Sequence, residues 1–213
     1  MSGLLDLAPV VPVVVMHDAD TAVPMAKALV AGGLPAIEVT LRTPAALDGV
    51  RRIAAEVPDA VVGVGTVLSA GDVADAVSAG ARFLVSPGAT PGLLDAMDRS
   101  GLPYLPGVAT VSEMLTVLER GRTEMKFFPA EAAGGAAYLA SVAGPLPQLR
   151  FCPTGGISAA TASHYLALPS VPCVGGSWVT PADAVAAGDW ARITGLAAEA
   201  AALAPRRRGG AVR

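Results

Sequence analysis

Histidine and cysteine are scarce in this sequence of 213 residues, which has two of each. His17 and His164 are far apart and lack the spacing of metal ligands, so we predict no metal site. Cys152 and Cys173 lie within apolar segments and have no histidine nearby, which argues against a cysteine nucleophile and predicts buried free thiols. Since the sequence also lacks a dinucleotide fingerprint and a P-loop, we predict that the protein uses no cofactor.

Charge and long apolar runs are also limited. Charged residues make up 15% of the chain and the net charge is −3, so no global attraction to nucleic acid or anionic lipid is expected. The longest strongly apolar run, residues 8–16, contains two prolines and is shorter than the roughly 18 residues of a membrane helix. The first residues lack the basic region of a secretory signal. We therefore expect a cytoplasmic protein without nucleic-acid or membrane partners.

Eight short apolar runs alternate with alanine-rich segments of helical spacing. Most runs are apolar at nearly every position, as expected for parallel strands buried on both faces. Eight strand–helix units predict an α/β protein, a (β/α)8 TIM barrel formed as one domain over residues 1–213, with a doubly wound sheet as the alternative. The runs cover residues 10–16, 34–41, 61–67, 83–85, 104–108, 124–128, 150–154 and 171–174.

The ends of the chain and the helix starts carry weaker signals. Residues 2–8 are predicted to form a short preceding helix, and the arginine-rich residues 206–213 a flexible tail. Threonine followed by proline at 43–44 and 90–91 resembles a helix N-cap with proline at the first helical position. Helices are predicted over residues 22–31, 44–56, 70–79 and 111–120.

The second run ends with polar side chains on one face. Alternation along a strand places Glu38, Thr40 and Arg42 inward, at the strand end where barrel enzymes carry functional residues. A buried carboxylate is costly unless it is paired. Glu38 and Arg42 therefore form either a structural ion pair or an acid/base group and an anion clamp, and both interpretations can hold together.

The chain has only two lysines, Lys27 and Lys126, and they differ in setting. Lys27 lies within a predicted helix and is interpreted as a surface residue. Lys126 lies in the sixth run, on the same inward face as Phe128. An ammonium there is poorly solvated, so the neutral, nucleophilic amine that a Schiff base requires becomes accessible. The alternative is a structural pair of Lys126 with Glu38 or Glu124.

Two glycine turns follow the seventh and eighth runs, which is where TIM barrels commonly bind phosphate. Glycine lets backbone N–H groups converge on an anion, so Gly155-Gly156 and Gly176-Ser177 are candidate phosphate-binding residues. Thr66, at the end of the third run, is predicted to face inward with Val62 and Val64. Pro87 is predicted to shape a loop and the pocket wall.

Seven segments, in this order, resemble one family: IEVTLRTPAAL, VGVGTVL, FLVSPG, YLPGVATVSEM, KFFPAEAAGG, FCPTGGIS and VGGSWV. It is the family of 2-dehydro-3-deoxy-6-phosphogluconate (KDPG) aldolases, also described as 4-hydroxy-2-oxoglutarate (KHG) aldolases. The resemblance covers roughly residues 10–203. It implies a homotrimeric, cytoplasmic, metal-free (β/α)8 barrel that acts as a class I aldolase, a lyase of carbohydrate metabolism in the Entner–Doudoroff pathway.

The resemblance also implies a role for each matching residue. Lys126 matches the Schiff-base lysine and Glu38 the general acid/base. Thr154 stands where galactonate-specific relatives tend to have valine. The remaining matches are Arg42 and Thr66 for the substrate carboxylate, Pro87 and Phe128 for the pocket, and Gly155, Gly156, Gly176 and Ser177 for phosphate.

The expected substrate is therefore a phosphorylated keto acid, KDPG, cleaved to pyruvate and D-glyceraldehyde 3-phosphate, with KHG cleavage to pyruvate and glyoxylate as a further activity. A preference for the galactonate epimer of KDPG is one alternative. A phosphosugar isomerase or epimerase would use Glu38 without a nucleophilic Lys126. A metabolite-binding barrel without catalysis would keep the glycine loops without needing Glu38 and Lys126 together.

Overall fold

The computed structural model describes residues 3–203, so the predicted tail over 206–213 lies outside the described residues. Within them the chain alternates between strands and helices. The strands are β1 (Val10–Val14), β2 (Ala36–Thr40), β3 (Val61–Gly65), β4 (Leu84–Val85), β5 (Tyr104–Leu105), β6 (Gly107–Val108), β7 (Glu124–Phe127), β8 (Arg150–Pro153) and β9 (Val174–Gly176). The α-helices are α1 (Ala22–Ala31), α2 (Ala46–Glu56), α3 (Ala70–Ser78), α4 (Pro91–Ser100), α5 (Val111–Leu118), α6 (Gly135–Val142), α7 (Ala159–Leu166), α8 (Ala182–Ala187) and α9 (Trp190–Ala201).

All strand pairings are parallel and form two sheets among these residues. One sheet has the order β5-β4-β3-β2-β1-β9, and the other has the order β6-β7-β8. A single parallel bridge between Thr154 and Gly175 joins the end of β8 to β9. The predicted α/β class with parallel strands is therefore confirmed.

All eight predicted runs differ from the strands at one or both ends. The fifth and eighth runs differ most, and each contains a proline. Pro106 divides the fifth run into β5, which pairs with β4, and β6, which pairs with β7. The eighth run was expected over residues 171–174, but β9 begins at Val174, after Pro172. Proline has no N–H to donate to a neighbouring strand, so it interrupts regular pairing in both places.

The strands separate two hydrophobic clusters. The larger cluster packs one face of the strands, including Ile37 and Val39, against the helices. The smaller one lies on the opposite face, which we call the inner face, and includes Phe83 and Leu105. Leu5, in a 3-10 helix at Leu4–Asp6 within the predicted N-terminal helix, also belongs to it. Because side chains alternate along a strand, successive residues belong to different clusters.

Of the two helix starts predicted from threonine–proline pairs, one is confirmed and one was wrong. The prediction for α4 is confirmed, because the Thr90 hydroxyl accepts a hydrogen bond from Leu93 N at 3.4 Å. The start predicted at Pro44 was wrong: α2 begins at Ala46. The Thr43 hydroxyl instead donates to the carbonyl of Met16 and ties this loop to the end of β1. In α5, Thr110 and Glu113 form a reciprocal capping box.

No helix within residues 3–203 is long and apolar enough to cross a lipid bilayer.

Candidate active site

Lys126 and Glu38 form a buried ion pair on the inner face. Lys126 Nζ lies 3.2 Å from Glu38 Oε1, and the two side chains are 5% and 4% exposed. They are 88 positions apart in the sequence and lie on strands of different sheets. The Phe128 ring adds a cation–π contact, with its centroid 5.2 Å from Lys126 Nζ. A basic and an acidic group thus share a site that is shielded from water.

Glycine creates the space for the Glu38 carboxylate. Glu38 pairs in register with Gly63 of β3, and Gly65 is the next residue on the same face. A β-carbon at Gly65 would lie 2.1 Å from Glu38 Oε1, so only glycine allows this approach. This role of Gly65 was not predicted from the sequence. A glycine within a strand pattern is the signal that could have indicated it, since such glycines mark close approach.

Arg42 and Thr66 lie together at the ends of β2 and β3. Arg42 is exposed, and its Nε donates to Thr66 Oγ1 at 3.4 Å. Thr66 has a φ of 60°, and among the described residues it is the one non-glycine residue with positive φ. Such a conformation costs a β-branched residue about 1–3 kcal/mol and is typical of functional sites.

The predicted inward face shared by Thr66, Val62 and Val64 was wrong. Val62 and Val64 belong to the cluster between strands and helices, and Gly63 and Gly65 occupy the inner face of β3. Strict alternation would therefore place Thr66 with the helices. The left-handed backbone at Thr66 ends the alternation and allows its hydroxyl to meet Arg42.

The ion-pair alternatives are resolved by geometry. Glu38 pairs with Lys126, so the structural Glu38–Arg42 pair considered from the sequence was wrong. Glu124 does not pair with Lys126 either, since it accepts a hydrogen bond from Arg150 Nη1 at 2.6 Å. Burial raises the pKa of Glu124, an effect that the Arg150 charge partly opposes. The remaining structural alternative, the pairing of Lys126 with Glu38, is the one the structure contains, and it places a carboxylate within hydrogen-bonding distance of the lysine nitrogen.

Lys126 is flanked by small neighbours in register. It lies between Gly107 of β6 and Cys152 of β8. A β-carbon at Gly107 would lie 2.2 Å from the backbone of Pro87, so this glycine lets the half-buried Pro87 loop approach. Cys152 and Cys173 are buried free thiols, as predicted. The hydrogen bond that the Cys173 thiol donates to Cys152, together with burial, raises the pKa of Cys173, which favours the inert thiol.

The two predicted phosphate turns are neighbours in space. The Thr154–Gly175 bridge places the ends of β8 and β9 side by side, and Thr154 is buried. Gly155 and Gly156 have φ values of 105° and 80°, which side chains rarely adopt. Gly176 is buried and Ser177 is exposed beyond the end of β9. Glu38 and Lys126 lie within β2 and β7, and the other predicted site residues end strands or follow them at the carboxyl side of the sheets.

Two further sequence predictions concern Lys27 and metal ions. Lys27 is exposed on α1, as expected for a surface lysine. The described residues contain no group of three or more histidine, cysteine or acidic side chains placed to hold a metal ion.

Comparisons with known proteins agree with this geometry. The family model described as KDPG and KHG aldolase matches residues 1–196. The KHG/KDPG aldolase of Escherichia coli K12 is 56% identical over 198 residues, which is 93% of each chain. The 2-dehydro-3-deoxy-phosphogluconate aldolase of Zymomonas mobilis is 50% identical over 203 residues, covering 95% of this chain and 96% of the relative.

A solved structure gives the same result. The KDPG aldolase of Legionella pneumophila, with pyruvate captured as a covalent carbinolamine intermediate, superposes with a TM-score of 0.90 and 46% identity, covering 92% of this chain and 96% of that one. The family expected from the sequence motifs is thus confirmed: the chain belongs to the KDPG and KHG aldolase family.

Proposed function

We propose that this protein is a class I aldolase that reversibly cleaves KDPG to pyruvate and D-glyceraldehyde 3-phosphate, and KHG to pyruvate and glyoxylate. The observation that carries the proposal is the contact between Lys126 Nζ and Glu38 Oε1 at 3.2 Å in a buried setting. The Legionella pneumophila relative, which holds a carbinolamine formed with pyruvate, supports the same chemistry.

The first half-reaction joins Lys126 to the substrate ketone. Glu38 accepts a proton from the Lys126 ammonium, and the free amine attacks C2 of the keto acid to form a carbinolamine. Glu38 then returns a proton to the C2 hydroxyl, which leaves as water and gives a protonated imine. Because one carboxyl group lies within hydrogen-bonding distance of the nitrogen, it can serve both steps.

Cleavage uses the imine as the electron sink. Glu38, directly or through a water molecule, removes the proton of the C4 hydroxyl, and the C3–C4 bond breaks. Its electrons move into the imine to give an enamine, and the aldehyde leaves. Protonation of the enamine carbon and hydrolysis of the imine then release pyruvate and restore Lys126.

Residues other than Lys126 and Glu38 bind the two ends of the substrate. Arg42 and Thr66 bind the carboxylate and fix the ketone at attacking distance from Lys126. Binding energy at the remote phosphate then orients the reacting centre. Pro87, Phe128 and Thr154 line the pocket, and Gly155, Gly156, Gly176 and Ser177 bind phosphate.

Borohydride reduction with pyruvate tests the nucleophile directly. Reduction should add one pyruvate-derived mass to the peptide that contains Lys126, and Lys126→Met should abolish both the adduct and turnover. Lys27→Met is the matched control, because it removes the other lysine from an exposed position. An adduct at Lys27, or none, would refute the proposed mechanism.

A coupled assay with lactate dehydrogenase tests the acid/base role and separates the rival functions. Glu38→Gln should lower kcat by about 10²–10⁴-fold, the usual contribution of a general base, and still leave some imine. An isomerase or epimerase would release no pyruvate from KDPG. A binding protein would form neither pyruvate nor the reduced adduct.

Thr154 is proposed to favour the gluconate configuration over the galactonate one. Thr154→Val should therefore shift the ratio of kcat/KM values for KDPG and its galactonate epimer toward the epimer. A wild-type protein that prefers the galactonate compound would contradict this assignment.

We also propose that the two sheets close into a (β/α)8 barrel within a single domain. The chain continues from β5 to β6 through Pro106, and the Thr154–Gly175 bridge joins β8 to β9, which supports closure. A homotrimer is proposed on the family resemblance, and the exposed Val111 and Leu115 on one face of α5 favour self-association. Sedimentation equilibrium of wild type and Leu115→Glu tests it, and a monomeric wild type would refute it. The cytoplasmic location stays a prediction.

A further inference from the structure

A cavity of about 540 Å³ lies over the carboxyl end of β1, outside the Lys126–Glu38 pair. Its volume is within the range of small-molecule sites. It begins at Val13, which lies next to Glu38 in the register between β1 and β2. At its other side it is lined by Ser177, one of the candidate phosphate residues. The cavity thus lies between β1, the strand next to Glu38, and the second glycine turn, and Glu38 itself does not line it.

The cavity contains one side chain able to carry positive charge. His17 lines it and is exposed, whereas the candidate phosphate turns at Gly155-Gly156 and Gly176-Ser177 supply only N–H groups and a hydroxyl. A phosphate group gains most from donors that carry charge. Of the described basic residues, Arg42 contacts Thr66, and Lys126 is buried against Glu38.

An acidic neighbour also lines the cavity. Asp18 Oδ1 accepts a hydrogen bond from Asp20 N at 2.9 Å, which directs the carboxylate to the start of the short 3-10 helix at Ala19–Thr21. The other polar lining groups close to Ser177 include Thr180, whose hydroxyl lies 3.5 Å from the Ser177 carbonyl oxygen. The lining is therefore a mixture of one imidazole, one carboxylate, hydroxyl groups and apolar walls.

We propose that His17 donates a hydrogen bond to the terminal phosphate of the substrate and so acts as a specificity residue for phosphorylated keto acids. This inference rests on the proposed aldolase function and extends the phosphate site from its backbone turns to a side chain on the loop after β1. An imidazole N–H can serve here in either protonation state, since neutral histidine also keeps one donor.

Two substrates distinguish this role from general damage, because KDPG carries a phosphate and KHG does not. His17→Ala should raise KM for KDPG about 10-fold or more, as expected for loss of one charge-assisted hydrogen bond, with little change in kcat. KM for KHG should stay the same. Inorganic phosphate should inhibit wild type competitively and the variant less, and His17→Lys should restore tight binding of KDPG.

His164→Ala is the matched control, since it removes the other histidine from an exposed position on α7. Borohydride trapping with pyruvate, which has no phosphate, checks separately that the Lys126 site is intact. If wild type forms no adduct, the proposed function fails. If the adduct forms but His17→Ala changes KM for both substrates equally, or for neither, only the role of His17 is overturned.

Discussion

Removing one member of the buried Lys126–Glu38 pair should destabilise the fold far more than removing both. The two side chains are 5% and 4% exposed, so either charge left alone is poorly solvated. Breaking such a pair typically costs about 3–5 kcal/mol, whereas replacing both partners by apolar residues is often neutral or stabilising. We therefore expect Lys126→Met and Glu38→Leu each to lower Tm by about 10 °C, since 1 kcal/mol shifts Tm by about 2–4 °C at this size.

The assay is a double-mutant cycle by urea unfolding at one protein concentration, with Lys126→Met, Glu38→Leu and the combined variant. The exposed pair Arg192–Asp183 is the control, with a contact of 2.7 Å and side chains 48% and 70% exposed. Its coupling should be about 0–1 kcal/mol. If the coupling energy of the buried pair is as small as that of the control pair, so that its single changes are additive, the interpretation of the site as shielded from water is refuted.

Three further predictions concern single positions. Gly65→Ala should lower kcat about 10²-fold or more by displacing the Glu38 carboxylate, whereas Gly92→Ala, whose β-carbon would meet nothing within 4 Å, should leave kcat unchanged; equal rates would contradict the close approach. Thr66→Gly should raise the free energy of unfolding by up to about 2 kcal/mol, because relief of the positive φ outweighs the added chain entropy, and raise KM; a less stable variant would exclude strain there. Hydrogen bonds from backbone N–H groups lower the pKa of Glu113, so its stabilisation is present above its unfolded pKa and lost as pH falls. Glu113→Gln should cost up to about 1 kcal/mol at pH 7, and a difference from wild type in thermal unfolding that did not shrink below about pH 4 would refute this sign.

Local patterns were enough to place the main elements and the faces of Glu38 and Lys126. The helix predicted over residues 22–31 has the same bounds as α1. Alternation predicted correctly that Glu38 and Lys126 lie on the inner face. Their neighbours Ile37 and Phe127 belong to the larger cluster, which packs against the helices. These predictions succeed because strand periodicity and helix spacing depend on residues close in sequence.

The partners of these side chains could not be derived in the same way. Arg42 was considered as the partner of Glu38 because it is four positions away, but Lys126, 88 positions away, occupies that place. Sheet curvature decides which strands face each other, and no local pattern encodes it. Thr66 shows a second limit, because one left-handed residue ends the alternation on which its predicted face depended.

The inner face of β3 makes room for the buried carboxylate of Glu38. Its residues Gly63 and Gly65 have no side chains, and two different groups occupy the space beside them. The Phe83 ring lies against Gly63 and belongs to the apolar inner cluster, whereas the Glu38 carboxylate lies against Gly65. Glycine weakens a strand, so its repeated use here is a cost in stability. Gly63 thus leaves room for an apolar ring, and Gly65 leaves room for a carboxylate next to it. This arrangement allows Lys126 and Glu38 to pair where water is excluded.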